Sequence, residues 1–590
     1  MVKLNGGEIL GKTLKAAGVE KVFGLVGHGN IGLIDGIIRE GIEFISCHHE
    51  TVAGMAADGY FRACGKPGVV CLTCSPGALN AQVAIATAAQ DHSAVVYIVG
   101  DIPMEFAGKG TYEELDLNGP DDQFHVLKPN FKRAWKVTNL NLFSQYIANA
   151  FNAATSGCPG PVLLNVPFDL DAKEVETGIF DVPRHMAHSK PRPDDDQILQ
   201  ALDLLLKAKE PVMLVGGGIG LSNASKEVMK LSERLGIPVV SSIMGAAFLP
   251  GHYQGFAGFI GSYGTSLANE LVKRADLVLA VGTRFEEEET AIWLDGQVFR
   301  IPPTKIIQID IDPLIIGKNY PVEMGMVGDA AMTLGKMIHF LSQSNSGKAF
   351  NDQRIQALAS IKKEWFDQLL PAMTSKGKPI NPRRVLKAMT DKMPPDTVLT
   401  LDPSWTRIGL LQQLGMPGAG HCYIAGGIMP IGWSTSAALG VAVARKPARV
   451  VAVSGDGGFL MGIQSLLTAV EYDLPITWVI INNGGYNALH VLQKAYFGGR
   501  SMGSLFEKAA NHEDVRPDLA AVAKGFRIQS ERIENPEDIE PAIERSFAFT
   551  GPYVLDFIAD PDESRLTRTA AVTWTHFWSH LRDKKISQSY

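Results

Sequence analysis

Asp456, Asn483 and Gly485 are the residues of this 590-residue chain whose types and spacing point most directly to chemistry. Asp456 follows the small and β-branched run Val450, Val451, Ala452, Val453, Ser454, which reads as a buried strand, and Asn482 and Asn483 close a second apolar run at 476–481. The stretch between them, 462–472, is helix-like, so the two strands form a βαβ unit whose C-terminal tips lie side by side. Open α/β sheets bind ligands at such tips. Asp456 offers a carboxylate oxygen, Asn483 an amide oxygen and Gly485 a backbone carbonyl, a hard-oxygen set suited to an octahedral Mg²⁺ that completes its shell with phosphate oxygens. Gly455, Gly457 and Gly458 let backbone N–H groups approach a diphosphate at a helix start.

This pattern resembles the signature of thiamine diphosphate (ThDP) enzymes. The resemblance implies that Asp456, Asn483 and the Gly485 carbonyl hold the metal, and that a distant acid serves the cofactor's pyrimidine ring. Glu50 fits that context, at the polar end of the strand-like run 44–49 and ahead of the small-residue helix 53–57. In the family a glutamate so placed protonates N1′ of the aminopyrimidine, which lets the cofactor generate its own carbanion; such proton traffic needs a carboxyl group shielded from water. Read without the family, Glu50 would be a carboxylate capping a helix N-terminus. The segment 426–433 resembles a third family landmark, where a bulky apolar side chain wedges between the cofactor's two rings. Counted back from Ala437, Ala438, Leu439 and Gly440, that wedge is Ile431, and the Met429 carbonyl and Ile431 amide would meet the pyrimidine edge.

The elements that must position these groups come next. A hydrophobic content of 46% over this length is enough for several cores, and βα alternation predicts an α/β protein of three doubly wound parallel-sheet domains plus a C-terminal helical tail. We expect a pyrimidine-binding domain at 1–182, a central nucleotide-binding-like domain at 194–342, a diphosphate- and Mg²⁺-binding domain at 378–560 and a lid at 561–590. Polar stretches at 183–193 and 343–348 read as linkers. The net charge of −7, without long basic blocks, argues against nucleic acid as a partner. Six irregularly spaced cysteines give neither a zinc pattern nor a disulfide framework, and no apolar run reaches membrane length, so a cytoplasmic protein is expected. In the family the cofactor lies between subunits, which implies a homodimer at least and favours a homotetramer, with Glu50 acting on ThDP held by the partner subunit.

Several residues bear on substrate. His28, in the loop 24–30, occupies a place that faces the thiazolium in relatives: pyruvate decarboxylases carry aspartate there, oxalyl-CoA decarboxylase isoleucine and cyclohexane-1,2-dione hydrolase histidine. An imidazole there can shuttle a proton near neutral pH. Tyr112 and Glu113 resemble the Tyr-Glu pair of oxalyl-CoA decarboxylase, and Tyr486, His490 and Gln493 are the polar candidates of the segment after the metal site. In the central domain the glycines of 216–220, Arg284, Asp310 and Asp312 resemble the arrangement of acetohydroxyacid synthase, where this domain holds FAD; oxalyl-CoA decarboxylase uses it for ADP and part of CoA. The acidic run 286–289 reads as a solvated helix face. Arg568, Trp574 and Trp578 interleave cation and aromatic in the tail, as a lid over an adenine and phosphates would.

Together these features lead us to expect a ThDP- and Mg²⁺-dependent carbon–carbon lyase or carboligase, and within it an enzyme cleaving a 2-hydroxyacyl-CoA reversibly to formyl-CoA and an aldehyde or ketone. The catalytic set would be Glu50, His28, Tyr112, Glu113 and Gln493, with the proton taken from the substrate hydroxyl by His28 or Glu113. The alternatives are an acetolactate synthase-like carboligase using pyruvate, an oxalyl-CoA decarboxylase, and a non-catalytic ThDP-fold subunit.

Overall fold

The computed structural model describes residues 2–561 apart from 120, 188, 344–352 and 499. Three six-stranded sheets succeed one another along the chain, each of them wholly parallel. Their central strands, such as Val95–Asp101 and Ile476–Asn482, are buried throughout, because helices cover both faces and leave no side for polar alternation. With strands numbered in chain order within each sheet, the first and third sheets share the order 2-1-3-4-6-5, and the middle one runs 3-2-1-4-5-6. A separate antiparallel pair, Val2–Asn5 with Glu174–Thr177, ties the start of the first domain to its end.

These strand orders fix where ligands can enter. The order in which strands are added reverses beside the first strand of each sheet, which opens a crevice at the carboxyl ends of the strands there. In the first sheet the crevice lies between Lys21–Gly24 and Gly68–Leu72, and the loops leaving those strands carry His28 and Cys74. In the third it lies between Val398–Leu401 and Val450–Gly455, whose tips carry Asp402 and Asp456. In the middle sheet it lies between Pro211–Val215 and Leu277–Val281, followed by the glycines 216–218 and by Gly282, Thr283 and Arg284.

The first and third domains are joined by the helices Glu50–Cys64 and Trp433–Arg445. Both are rich in Ala and Gly, so their backbones come close: a Cβ on Gly440 would stand 1.7 Å from the Ala56 carbonyl oxygen, and one on Gly59 would stand 2.3 Å from that of Ala437. The Trp433 indole N–H donates to Asp58 at 2.7 Å, and the Arg62 guanidinium lies 4.8 Å from the centre of that indole ring while pairing with both Asp58 and Asp91. The helix Gln353–Met373, in a stretch the sequence reading left without structure, leads into the third domain. No helix among the described residues is long and apolar enough to cross a membrane.

Candidate active site

The strand tips bring Asp456 against the backbone of Gly484 and Gly485. Asp456 is buried; its Oδ1 accepts from the Gly457 N–H at 2.8 Å, and its Oδ2 accepts from Gly484 and Gly485 at 2.7 and 3.0 Å. Burial nevertheless pushes its carboxyl up to about 6, because the three N–H bonds only partly offset the loss of water. Among the described residues no three His, Cys, Asp or Glu side chains gather as a metal site, so a metal here would rely on the set of one carboxylate, one amide and one carbonyl expected from the sequence. Such a set, with a buried carboxylate at a sheet crevice, fits a Mg²⁺–diphosphate group. Two of the glycines have a second role: a Cβ on Gly457 would meet the Tyr486 ring at 2.4 Å, and one on Gly458 would meet Asp402 Oδ2 at 2.1 Å, whereas the nearest atom to one on Gly455 is 4.0 Å away.

Asp402 went unnoticed in the sequence. It ends the run Val398–Leu401 as Asp456 ends Val450–Gly455, so an acid at the tip of an apolar strand was the available signal. Its carboxylate accepts from the N–H groups of Gly432 and Ser434, at 2.8 and 2.9 Å, and from the Ser454 hydroxyl, which pins the segment of Met429 and Ile431 to the Asp456 strand. Met429 itself has a positive φ of 50°. Asp91, from the first domain, holds the other end of that segment through the N–H groups of Gly426 and Gly427.

The first domain supplies a second half-site. Glu50 is buried at the head of its helix; Asn80 donates to its Oε2 at 3.0 Å, and a Cβ on Gly77 would stand 3.2 Å from its Oε1. On the same sheet edge Glu113 approaches His28 Nδ1 at 3.7 Å, and the rings of His28 and Tyr112 meet edge-on at 5.3 Å. His28, Tyr112 and Glu113 are thus brought together. Glu50 and Asp456 of one chain are not. His48, two residues before Glu50, bonds Glu471 at 2.9 Å where the chain is about to enter the strand Ile476–Asn482, while Asp456 lies where that strand ends. A seven-residue strand separates the two levels, roughly 20 Å.

Comparison with known proteins bears on what these half-sites are. The N-terminal TPP binding domain of thiamine pyrophosphate enzymes matches residues 4–121, their central domain matches 198–337 and their C-terminal TPP binding domain matches 407–557. The probable acetolactate synthase large subunit of Methanocaldococcus jannaschii is 30% identical over 578 residues, covering 95% of this chain and 93% of its own. The chain belongs to the thiamine pyrophosphate enzymes. The acetolactate synthase large subunit of Haemophilus influenzae is also 30% identical, over 95% of this chain and 96% of its own, and the acetolactate synthase of Arthrospira platensis is 30% identical over 95% of each.

In this thiamine pyrophosphate enzyme the remaining sequence candidates fall into three groups. Arg284 and Asp310 line a cavity of about 520 Å³ in the crevice of the middle sheet, together with Gly217, Gly218, Arg62 and Met429, so that it runs from the central domain to the segment pinned by Asp402. Arg284 donates to the Gln90 carbonyl at 2.8 Å and pairs with Glu286. Burial pushes Asp310 up to about 6. Asp312 is turned to its own loop: its Oδ1 accepts from the Leu314 N–H, and its own N–H donates to Asp310. The acidic run is not the solvated face that the sequence implied. Only Glu287 is exposed; Glu289 is buried against the Thr283 hydroxyl and pushed up to about 7 by burial, because the short helix Glu287–Thr290 packs into the cavity wall.

The helix Asn487–Tyr496 turns its polar groups toward its own neighbouring loop. Gln493 Oε1 accepts from the Ser504 hydroxyl and the Met502 N–H, and His490 Nδ1 lies 3.3 Å from Ser504 Oγ, with burial lowering the imidazole's basicity. Tyr486 lies over Gly457 and packs edge-on against Phe506. Arg568, Trp574 and Trp578, and with them the lid, lie outside the described residues.

Proposed function

We propose that this enzyme is a ThDP- and Mg²⁺-dependent carboligase that takes a small 2-oxo acid such as pyruvate, breaks its bond to the carboxylate, which leaves as CO₂, and joins the former carbonyl carbon to the carbonyl carbon of a second 2-oxo acid. The observation that carries this reading is the likeness to acetolactate synthase large subunits along nearly the full length of both chains. When bound, the cofactor would supply a carbon nucleophile and an electron sink. Asp456, Asn483 and the Gly485 carbonyl would hold Mg²⁺, while Met429 and Ile431, fixed by Asp402 and Asp91, would meet the pyrimidine. Glu50, oriented by Asn80 in a buried setting, would keep a proton on the pyrimidine ring. His28, Tyr112 and Glu113 would line the substrate side and move protons at the substrate oxygen.

The separation of Glu50 from Asp456 within one chain supports a complete site built from two copies, hence a homodimer at least; a homotetramer would repeat that unit, and the relatives' names also raise a partner subunit. The cavity reaching Met429 is suited to a nucleotide-bearing ligand, FAD by the resemblance to acetohydroxyacid synthase or an ADP moiety. A cytoplasmic location would suit the six unpaired cysteines.

A second reading, a 2-hydroxyacyl-CoA lyase, is favoured by the meeting of His28, Tyr112 and Glu113, which suits removal of a hydroxyl proton. Incubating the holoenzyme separately with pyruvate and with 2-hydroxyisobutyryl-CoA, and following products by mass spectrometry, distinguishes the two. Acetolactate from pyruvate supports the carboligase; formyl-CoA with acetone and no acetolactate would replace it with the lyase.

A further inference from the structure

Cys74 lies against the two loops of the first-domain half-site that carry His28 and Glu113. It precedes the helix Ser75–Asn80, is 3% exposed, and donates its thiol to Glu113 Oε2 at 2.9 Å. The other carboxylate oxygen, Oε1, is the one that faces His28 Nδ1 at 3.7 Å. The same sulfur supports the His28 loop, since a Cβ on Gly29 would stand 2.9 Å from Cys74 Sγ, and the neighbouring Thr73 hydroxyl accepts from the Gly29 N–H at 3.1 Å. Glu113 is also held in the left-handed region, at a φ of 63°, a conformation that non-glycine residues adopt only where surrounding contacts fix them.

We infer that Cys74 is a positioning residue of the active site: its thiol holds the Glu113 carboxylate so that the remaining oxygen orients the exposed imidazole of His28 toward bound substrate. Burial and the adjacent carboxylate push the thiol up to about 12, so it stays protonated and serves as a donor rather than a nucleophile. With its Nδ1 3.7 Å from Glu113 Oε1, the imidazole would present Nε2 to exchange a proton with a substrate oxygen. This role rests on the proposal that the His28 side of the site faces substrate.

The test compares wild type, Cys74→Ser and Cys74→Ala as Mg²⁺- and ThDP-loaded enzymes. Serine keeps a donor of similar size, and alanine removes it. Cys74→Ser should stay within a few-fold of wild type, whereas Cys74→Ala should lower kcat on the order of tenfold or more with KM and ThDP affinity little changed, a partial loss of acid–base efficiency. Crystal structures of the three proteins supply a readout that needs no substrate: the Glu113 carboxylate should stay beside His28 with serine and leave it with alanine. An unmoved carboxylate in Cys74→Ala overturns the assignment, and so does equal impairment of the serine and alanine variants. If no substrate is turned over by wild type, the functional reading fails while the structures still decide the role of Cys74. If Cys74→Ala does not fold, Cys74→Ser alone decides: a displaced carboxylate in it overturns the proposal.

Discussion

At the scale of single residues, burial sets the chemistry. Glu50 is shielded from water and oriented by one amide, so Glu50→Gln should leave ThDP binding nearly intact while lowering kcat by on the order of 10²- to 10⁴-fold. Stopped turnover with normal cofactor titration by calorimetry is the expected result, and unchanged turnover would remove Glu50 from the mechanism. Asp171, next to Gly32 in the first domain, shows burial acting on stability. Its carboxyl is pushed up to about 8, and its Oδ1 finds no partner among the described residues. The folded state therefore holds a proton that the unfolded chain releases near pH 4, so the benefit of that proton is complete below pH 4 and lost as pH rises toward 8. Asp171→Asn removes this titration. Thermal midpoints of wild type should fall relative to the asparagine variant between pH 5 and pH 8, and parallel curves would show the carboxyl to be indifferent.

Among elements, the pairing of Glu50–Cys64 with Trp433–Arg445 carries the most consequence, because it sets the third-domain landmark against the first domain. Gly440 permits that approach; Gly440→Ala places a Cβ 1.7 Å from a backbone oxygen that cannot turn aside. Overpacking of this kind costs about 1–3 kcal/mol or more, and the variant should melt well below wild type by calorimetry. Arg62 is the electrostatic counterpart. Arg62→Leu would leave the carboxylates of Asp58 and Asp91 buried without their cation, a loss of about 3–5 kcal/mol, and would loosen the N–H bonds from Gly426 and Gly427 to Asp91. Weakened ThDP affinity alongside the lower melting point is the expected signature.

For the whole molecule, the central fact is that Glu50 and Asp456 of one chain stand at opposite levels of the third sheet. If two copies complete each other's sites, then Glu50→Gln and Asp456→Ala, each inactive alone, should recover activity when unfolded together and refolded, or when co-expressed. Half of the randomly paired dimers would carry one intact site of two, giving about a quarter of wild-type activity. No recovery from well-mixed dimers would place the whole reaction within a single chain.

Much of this architecture was legible in the sequence. The runs 450–454 and 476–481 announced their strands because a parallel sheet covered on both faces demands unbroken apolar residues, and Asp456 and Asn483 stood out as polar groups ending such runs. Glu50, Met429 and Ile431 were readable only through resemblance to a family, since an acid at a helix start and a glycine-rich turn have commoner explanations. Tertiary structure alone decided the rest. Asp91 reaches Gly426 and Gly427 across a domain boundary, and Cys74 meets Glu113 from the loops of two neighbouring strands, contacts with no spacing rule because chain folding rather than local periodicity creates them. The acidic run 286–289 was misread for the same reason: four consecutive charges look solvated until packing against a cavity wall buries the last of them. Strand and helix periodicity are local properties of sequence, whereas the partners of a buried polar group are chosen by the packing of distant elements.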